Sequence, residues 1–164
     1  TVLSAPVGVE VIQVQTALQM REAVLNVVLK ADALIMAAAV ADYRPATTAE
    51  RKLKKEAVPQ LTLELVRNPD ILSEVGEQII KVGFAAESEN LIQNATAKLK
   101  EKSLHLIVAN DITVTDSGFG ADTNKVVLID CWGNKEDLPL LPKVEVAHKI
   151  LDKIVELLGR RKAK

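Results

Sequence analysis

The 164 residues are 48% apolar, 26% charged and only 2% aromatic, which suits one folded domain with a real core and excludes disorder. A net charge of −1 lacks the basic excess of nucleic-acid binders, and no apolar run reaches the roughly 20 residues that cross a bilayer. The single Cys131 makes neither an internal disulfide nor a cysteine zinc cluster, and TVLSAPV lacks the basic segment and long apolar stretch of a signal peptide, so a cytoplasmic protein is expected.

In chain order, TVLSAPV reads as a β-strand and VEVIQV at 9–14 as a further short strand. Thr16 opens a helix with Gln19 three residues on as a capping box, and Ala17, Met20, Val24, Val27 and Val28 follow at helical spacing. ALIMAAAV at 33–40 is an almost wholly apolar strand with the polar exit ADYRP. The lysine-rich stretch 46–59 has no clean period and reads as a loop, before LTLELV at 61–66, which alternates like a half-exposed strand. Asn68-Pro69-Asp70 predicts a helix start, with Asn68 as cap, Pro69 at the first helical position and Asp70 complementing the dipole.

The spacing then predicts a buried strand at 79–86, a helix at 90–102, a strand at 104–111 and a glycine-rich loop at 117–123. KVVLID at 125–130 is a further strand, 131–142 a turn with an extended return, and 143–158 a closing helix. That helix is expected to bury Ala147, Ile150, Leu151, Ile154 and Leu158 and to stop at Gly159. Alternating strands and helices predict an α/β, Rossmann-like, doubly wound and mostly parallel sheet with helices on both faces, as one domain over 1–164.

Ligands of such sheets bind beyond the carboxyl ends of the strands. Asp42, Asn68, Glu87, Asn110 and Asp111 fall on that edge, although any one of them also suits a turn or a cap. Small residues at 37–40 would let a ligand approach the backbone, or let a helix pack closely. Lys52, Lys54 and Lys55 form a basic cluster that reads either as a solvated face or as a lid over phosphates. Lys98 and Lys102, four apart, continue the edge of the apolar stripe of their helix, so they either snorkel or aim two ammonium groups at a polyanion. Phe84 is core, or flanks a nucleobase. No P-loop and no dinucleotide fingerprint is present. Taken alone, the residues reach an α/β domain binding a phosphorylated small molecule.

AAAVADYRP (37–45), KLKK (52–55), NPDIL (68–72), VGFAAES (82–88), KLKEK (98–102) and IVAND (107–111) occur in that order. Together they closely resemble the phosphopantothenoylcysteine synthetase half of bacterial bifunctional coenzyme A enzymes. The resemblance implies a Rossmann-like homodimer that uses CTP and Mg²⁺ to join 4′-phosphopantothenate to L-cysteine. The carboxylate attacks the α-phosphate of CTP, giving an acyl-cytidylate and pyrophosphate, and the cysteine amine then displaces CMP. By motif match, Met36, Ala37, Ala38, Asp42, Asn68, Pro69, Asp70, Ile71, Phe84, Lys98 and Lys102 contact the nucleotide, and Lys52 is the catalytic lid lysine as well as a CTP contact. No metal ligands are assigned.

Family members begin with a further strand, a glycine-rich turn and an S-S-G-K-like motif, which this sequence lacks, and SAPV runs directly into GVEV where a proline-containing loop is usual. The flavin-dependent decarboxylase half to which the family is fused is absent as well, so no FMN is expected on this stretch. The alternative from another class is a nucleotide-binding or scaffold module without autonomous catalysis. A nicotinamide-dependent reductase fragment is disfavoured by the missing fingerprint, and ATP in place of CTP stays open.

Overall fold

The apolar runs of the second half of the chain become the strands of one sheet. The computed structural model describes residues 5–49, 62–114, 116–118 and 120–162. Its elements are α1 (Ala17–Val28), β1 (Ala33–Met36), β2 (Tyr43–Pro45), β3 (Leu65–Arg67), α2 (Ile71–Glu74), β4 (Ile80–Glu87), α3 (Leu91–Glu101), β5 (Leu106–Asp111), β6 (Thr123–Asn124), β7 (Val126–Asp130), β8 (Lys135–Asp137), β9 (Leu141–Pro142) and α4 (Lys143–Lys162). The chain divides into two units, 1–26 with 39–70 and 27–38 with 71–164.

The larger unit holds a five-stranded sheet in the order β1-β4-β5-β7-β8. β1, β4 and β5 are parallel, whereas β7 and β8 are antiparallel additions. The connections give the reason. A parallel return needs a crossover of a dozen or more residues, usually a helix. α3 supplies one between β4 and β5, but the described residues of the glycine-rich stretch from β5 to β7 form no helix, so β7 returns antiparallel. β7 then pairs with β8 across a turn in which Gly133 has φ +89, a left-handed conformation that costs glycine least.

Alternation along the strands sorts the core into two faces. Ile80 and Val82 of β4, Leu106 and Val108 of β5, and Val126 and Leu128 of β7 form one cluster with Val146, Ile150, Ile154 and Leu157 of α4. The intervening residues face α2 and α3: a Cβ on Gly83 would lie 2.6 Å from a Leu104 methyl and 3.6 Å from one of Leu72, and Ala95 and Leu99 of α3 are buried. Helices therefore cover both faces of an α/β, Rossmann-like sheet that is parallel at its core, as the periodicity predicts. The stripe on α4 differs from expectation. Ala147 and Leu151 are exposed and Leu158 is half-buried, and Val146 and Leu157 are buried instead. Nor does Gly159 stop α4, which runs on to Lys162; glycine inside a helix costs only about 1 kcal/mol against alanine.

The smaller unit is held by polar contacts. The capping box forms as predicted: the Gln19 N–H donates to Thr16 Oγ1 at 3.1 Å, and Gln19 Oε1 accepts from the N–H groups of Thr16 and Gln15 at 3.1 and 2.8 Å. β2 and β3 pair antiparallel, with Tyr43 opposite Arg67. Residues 9–14 form no strand, contrary to the alternation, because their apolar side chains are exposed and no neighbouring strand pairs with them among the described residues. A ladder needs a partner. The strand expected over 33–40 ends at Met36, where pairing with Gly83 ends, and of the one expected over 61–66 the described residues realise Leu65–Arg67.

Candidate functional site

In the sheet unit, the parallel strands end at staggered levels. β1 leaves the ladder beside Gly83, in the middle of β4, while β4 and β5 continue together to Glu87 and Asp111. Met36 is buried, and Ala37 and Ala38 follow as exposed residues beyond the last pairing. Phe84 is half-buried and packs against the cluster beneath α4. Lys98 lies in the last turn of α3 and Lys102 is its C-cap. Both are half-buried, whereas Gln93, Lys100 and Glu101 are exposed, so the two lysines sit at the edge of the apolar stripe as the spacing predicts. Phe84 and α3 occupy opposite faces of the sheet. Ile71 is the first residue of α2 and is buried.

The carboxyl ends of β4 and β5 are polar. Glu87 accepts from Asn94 Nδ2 at 3.0 Å. Asp111 Oδ1 accepts from both the hydroxyl and the N–H of Thr113, at 2.6 and 2.9 Å, and those bonds hold its carboxyl below the usual range. At the opposite edge, Lys81 is 3% exposed, and its ammonium donates to the carbonyls of Val75 and Lys102 at 3.2 and 3.1 Å. It ties the C-terminal ends of α2 and α3 together, where helix dipoles favour a cation. Lys81 also lines a cavity of about 250 Å³ with Lys102, Glu77 and Glu101. A lysine inside the apolar run IIKVGFAA was the available signal for this tether, and the sequence reading missed it.

In the smaller unit, Asn68 binds back to the ADYRP segment. Its N–H donates to the Asp42 carbonyl at 2.7 Å and its Nδ2 to the Ala41 carbonyl at 2.8 Å, while its Oδ1 accepts from Arg44 at 3.1 Å. The Arg44 guanidinium also donates to the Arg67 carbonyl at 2.8 Å. This corrects the expectation of a helix cap. α2 begins only at Ile71, and the Asn68 side chain is committed to 41–44, so Pro69 and Asp70 precede the helix. The structure thus brings Asp42, Arg44 and Asn68 together through Asn68, which bonds both of the others, and Arg44 is a member of this group that its motif did not single out. Lys52, with Lys54 and Lys55, lies outside the described residues.

Among the described residues, no three His, Cys, Asp or Glu side chains converge as a metal cage, and no helix is long and apolar enough to cross a membrane.

Residues 1–158 match the model of the DNA/pantothenate metabolism flavoprotein C-terminal domain. The chain is 46% identical over 159 residues to the coenzyme A biosynthesis bifunctional protein CoaBC of Bacillus subtilis (strain 168), covering 94% of this chain and 39% of that protein. It is 43% identical over 162 residues to the protein of the same name from Vibrio parahaemolyticus, covering 95% and 40%. The chain thus spans about two-fifths of the length of these relatives. A crystal structure of the C-terminal domain of a coenzyme A biosynthesis bifunctional protein CoaBC superimposes with a TM-score of 0.79 at 36% identity, over 97% of this chain and 71% of that one.

Proposed function

Because this chain belongs to the family of DNA/pantothenate metabolism flavoprotein C-terminal domains, we propose that it is the ligase part of a coenzyme A biosynthesis enzyme. It joins 4′-phosphopantothenate to L-cysteine at the expense of CTP, through an acyl-cytidylate. The observation that carries this reading is the 46% identity to a bifunctional coenzyme A biosynthesis protein over nearly the whole of this chain. The chemistry is coherent: a free carboxylate is a poor acyl donor, and cytidylylation gives it CMP as a leaving group for the cysteine amine.

In this reading Met36, Ala37, Ala38, Ile71, Phe84, Lys98 and Lys102 of the sheet unit serve nucleotide binding. The exposed backbone after β1 offers hydrogen-bonding groups unobstructed by large side chains, and the two ammonium groups on α3 supply positive charge for phosphates. Asp42, Asn68, Pro69 and Asp70 are further nucleotide contacts on the resemblance of their motifs. The hydrogen bonds of Asn68 to 41–44 favour a positioning role for its side chain. Lys52 stabilises charge as the carboxylate attacks the α-phosphate. Mg²⁺ is carried by the nucleotide phosphates, since the described residues offer no protein cage for it and this ion ordinarily keeps waters and phosphate ligands. The working protein is a cytoplasmic homodimer fused to a flavin-dependent decarboxylase.

The first test is thermal stabilisation of this chain by CTP, ATP, UTP and NADH, each with Mg²⁺. Selective stabilisation by CTP is expected. Equal stabilisation by all nucleotides refutes the cytosine preference, and a response to NADH alone replaces the ligase reading with a reductase. Lys98→Ala and Lys102→Ala are each expected to weaken CTP about tenfold, the scale of one lost charge-assisted hydrogen bond. CTP binding without amide formation by the complete enzyme would favour the scaffold alternative. In that complete enzyme, full ligase activity of Lys52→Gln would remove Lys52 from the catalytic role.

A further inference from the structure

Buried polar side chains are almost always satisfied, so the exceptions carry information. Three polar residues are buried among those described: Lys81, Asn110 and Asp130. Lys81 is satisfied by the two helix-end carbonyls. The Asp130 carboxylate accepts from the N–H groups of Trp132 and Asn134 and from Asn134 Nδ2, at 3.0, 2.9 and 2.7 Å, closing its own turn. Asn110 differs. At 8% exposed, its side-chain amide has one contact, from Ser117 Oγ to Oδ1 at 3.5 Å, the limit for a hydrogen bond. The single Ser117 proton is better placed towards Asn124 Oδ1, at 2.9 Å. The Asn110 Nδ2 donates to no described residue, yet no fully buried side-chain nitrogen or oxygen among those residues lacks a partner. Nδ2 is therefore the part of Asn110 that reaches the surface.

Its surroundings suit a ligand. Asn110 stands at the carboxyl end of a parallel strand, opposite Ala86 of β4, the edge where ligands of such sheets bind. Alternation places it on the α4 face, the face of Phe84. Gly118 has φ +86, and a Cβ there would lie 3.2 Å from Nδ2, so the glycine leaves room beside the amide. One residue further along both strands stand Glu87 and Asp111, which the same alternation turns to the α3 face, where Glu87 is bonded to Asn94. The group offered on the α4 face is a neutral amide, which suits an uncharged acceptor.

We propose that Asn110 is a substrate-recognition residue, its Nδ2 donating to an uncharged carbonyl or ring acceptor of a ligand seated at the carboxyl ends of β4 and β5. The proposal rests on the ligase reading, in which two substrates offer such an acceptor: the base of CTP and the amide of 4′-phosphopantothenate. Calorimetric titration of this chain with each ligand, as wild type, Asn110→Asp, Asn110→Ala and Ser117→Ala, separates the possibilities. Both Asn110 variants are expected to weaken one ligand about tenfold, the loss of one buried hydrogen bond, with the other ligand unchanged and the melting temperature retained in the isosteric Asp variant. Ser117→Ala removes the long contact to Asn110 Oδ1 but leaves the Nδ2 donor in place, so it is expected to leave both affinities within about twofold. The weakened ligand identifies the acceptor. Unchanged affinity for both ligands in the Asn110 variants, or an equal loss in Ser117→Ala, overturns the proposal and leaves the ligase reading standing. A wild-type chain that binds neither ligand overturns that reading, and the proposal with it.

Discussion

Two regions of this chain are built on different principles. The sheet unit, 27–38 with 71–164, contains every buried residue of the described chain, from Val28 to Leu157. Among the described residues the other unit contains none: its valines, leucines and Tyr43 described there are half-buried or exposed, and their order rests on a capping box, a three-residue strand pair and the Asn68–Arg44 bonds. Hydrophobic burial is the dominant favourable term of folding, while a net hydrogen bond contributes about 1 kcal/mol. The contrast therefore teaches that stability and the motifs of the proposed site are partly separated. AVADYRP and NPD sit where little burial holds them, and VGFAA and the α3 lysines sit where burial is greatest.

The largest effect that would break this contrast belongs to the sheet. Leu106 is fully buried in the cluster beneath α4, so Leu106→Ala should cost about 2–5 kcal/mol in denaturant unfolding. A loss below about 1 kcal/mol would mean that the sheet collapses around the vacancy more readily than close packing allows. In the other unit the strongest local device is the capping box. Thr16→Ala removes the acceptor of the Gln19 N–H and should cost about 1 kcal/mol, read as helix loss by far-UV circular dichroism at partial denaturation.

The next effect is a pH dependence confined to the sheet unit. His105 Nδ1 accepts the backbone N–H of Lys81 at 3.1 Å, a bond only the neutral tautomer can make. Burial, then the charges of Arg161 and Lys81, hold its pKa below the usual imidazole value, against a smaller opposing effect of Glu77. A depressed pKa means that the folded state binds the proton less well than the unfolded one. The stability contributed is therefore complete above the unfolded value near 6.5 and is lost as pH falls from there through the lowered folded value. Unfolding midpoints measured between pH 7.5 and 5 should decline for the wild type and flatten for His105→Asn, whose carbonyl can accept the same N–H without titrating. An identical decline in both would assign the loss to the carboxylates.

The same division explains what was legible in the sequence. Where burial decides structure, period and hydrophobicity suffice: 79–86, 90–102 and 104–111 appear within two residues of their observed bounds as β4, α3 and β5. Lys98 and Lys102 occupy the stripe edge that their spacing requires. Where burial does not decide, pattern misleads. VEVIQV alternates like a strand but lacks a partner, and Asn68-Pro69-Asp70 has the composition of a helix start while Asn68 is claimed by the carbonyl of Ala41 and the guanidinium of Arg44. Those competitors lie more than 20 residues away in sequence, beyond the reach of any local rule. The direction of β7 was equally hidden, since it depends on what the connection after β5 lacks. The polar exits of the strands were visible as a class, but only the hydrogen bonds distinguish Asn110, with its free donor, from Asp111, which closes its own turn on Thr113.

The smallest expected effects sharpen the comparison most. Val11 and Leu65 are exposed in the smaller unit, so Val11→Ala and Leu65→Ala should each change stability by no more than about 0.5 kcal/mol, as surface substitutions do. Leu65 lies in β3 opposite Pro45, so a small strand-propensity loss is included in that figure. Chemical denaturation of the two variants at several protein concentrations provides the check. A loss above about 1 kcal/mol that grows with concentration would mean that a second copy buries these side chains, because only association makes apparent stability depend on concentration. A loss of that size at every concentration would mean that the smaller unit has an apolar core of its own. Near-zero values would leave the contrast as drawn, with a buried sheet as the scaffold and a polar-held unit carrying the remaining motifs.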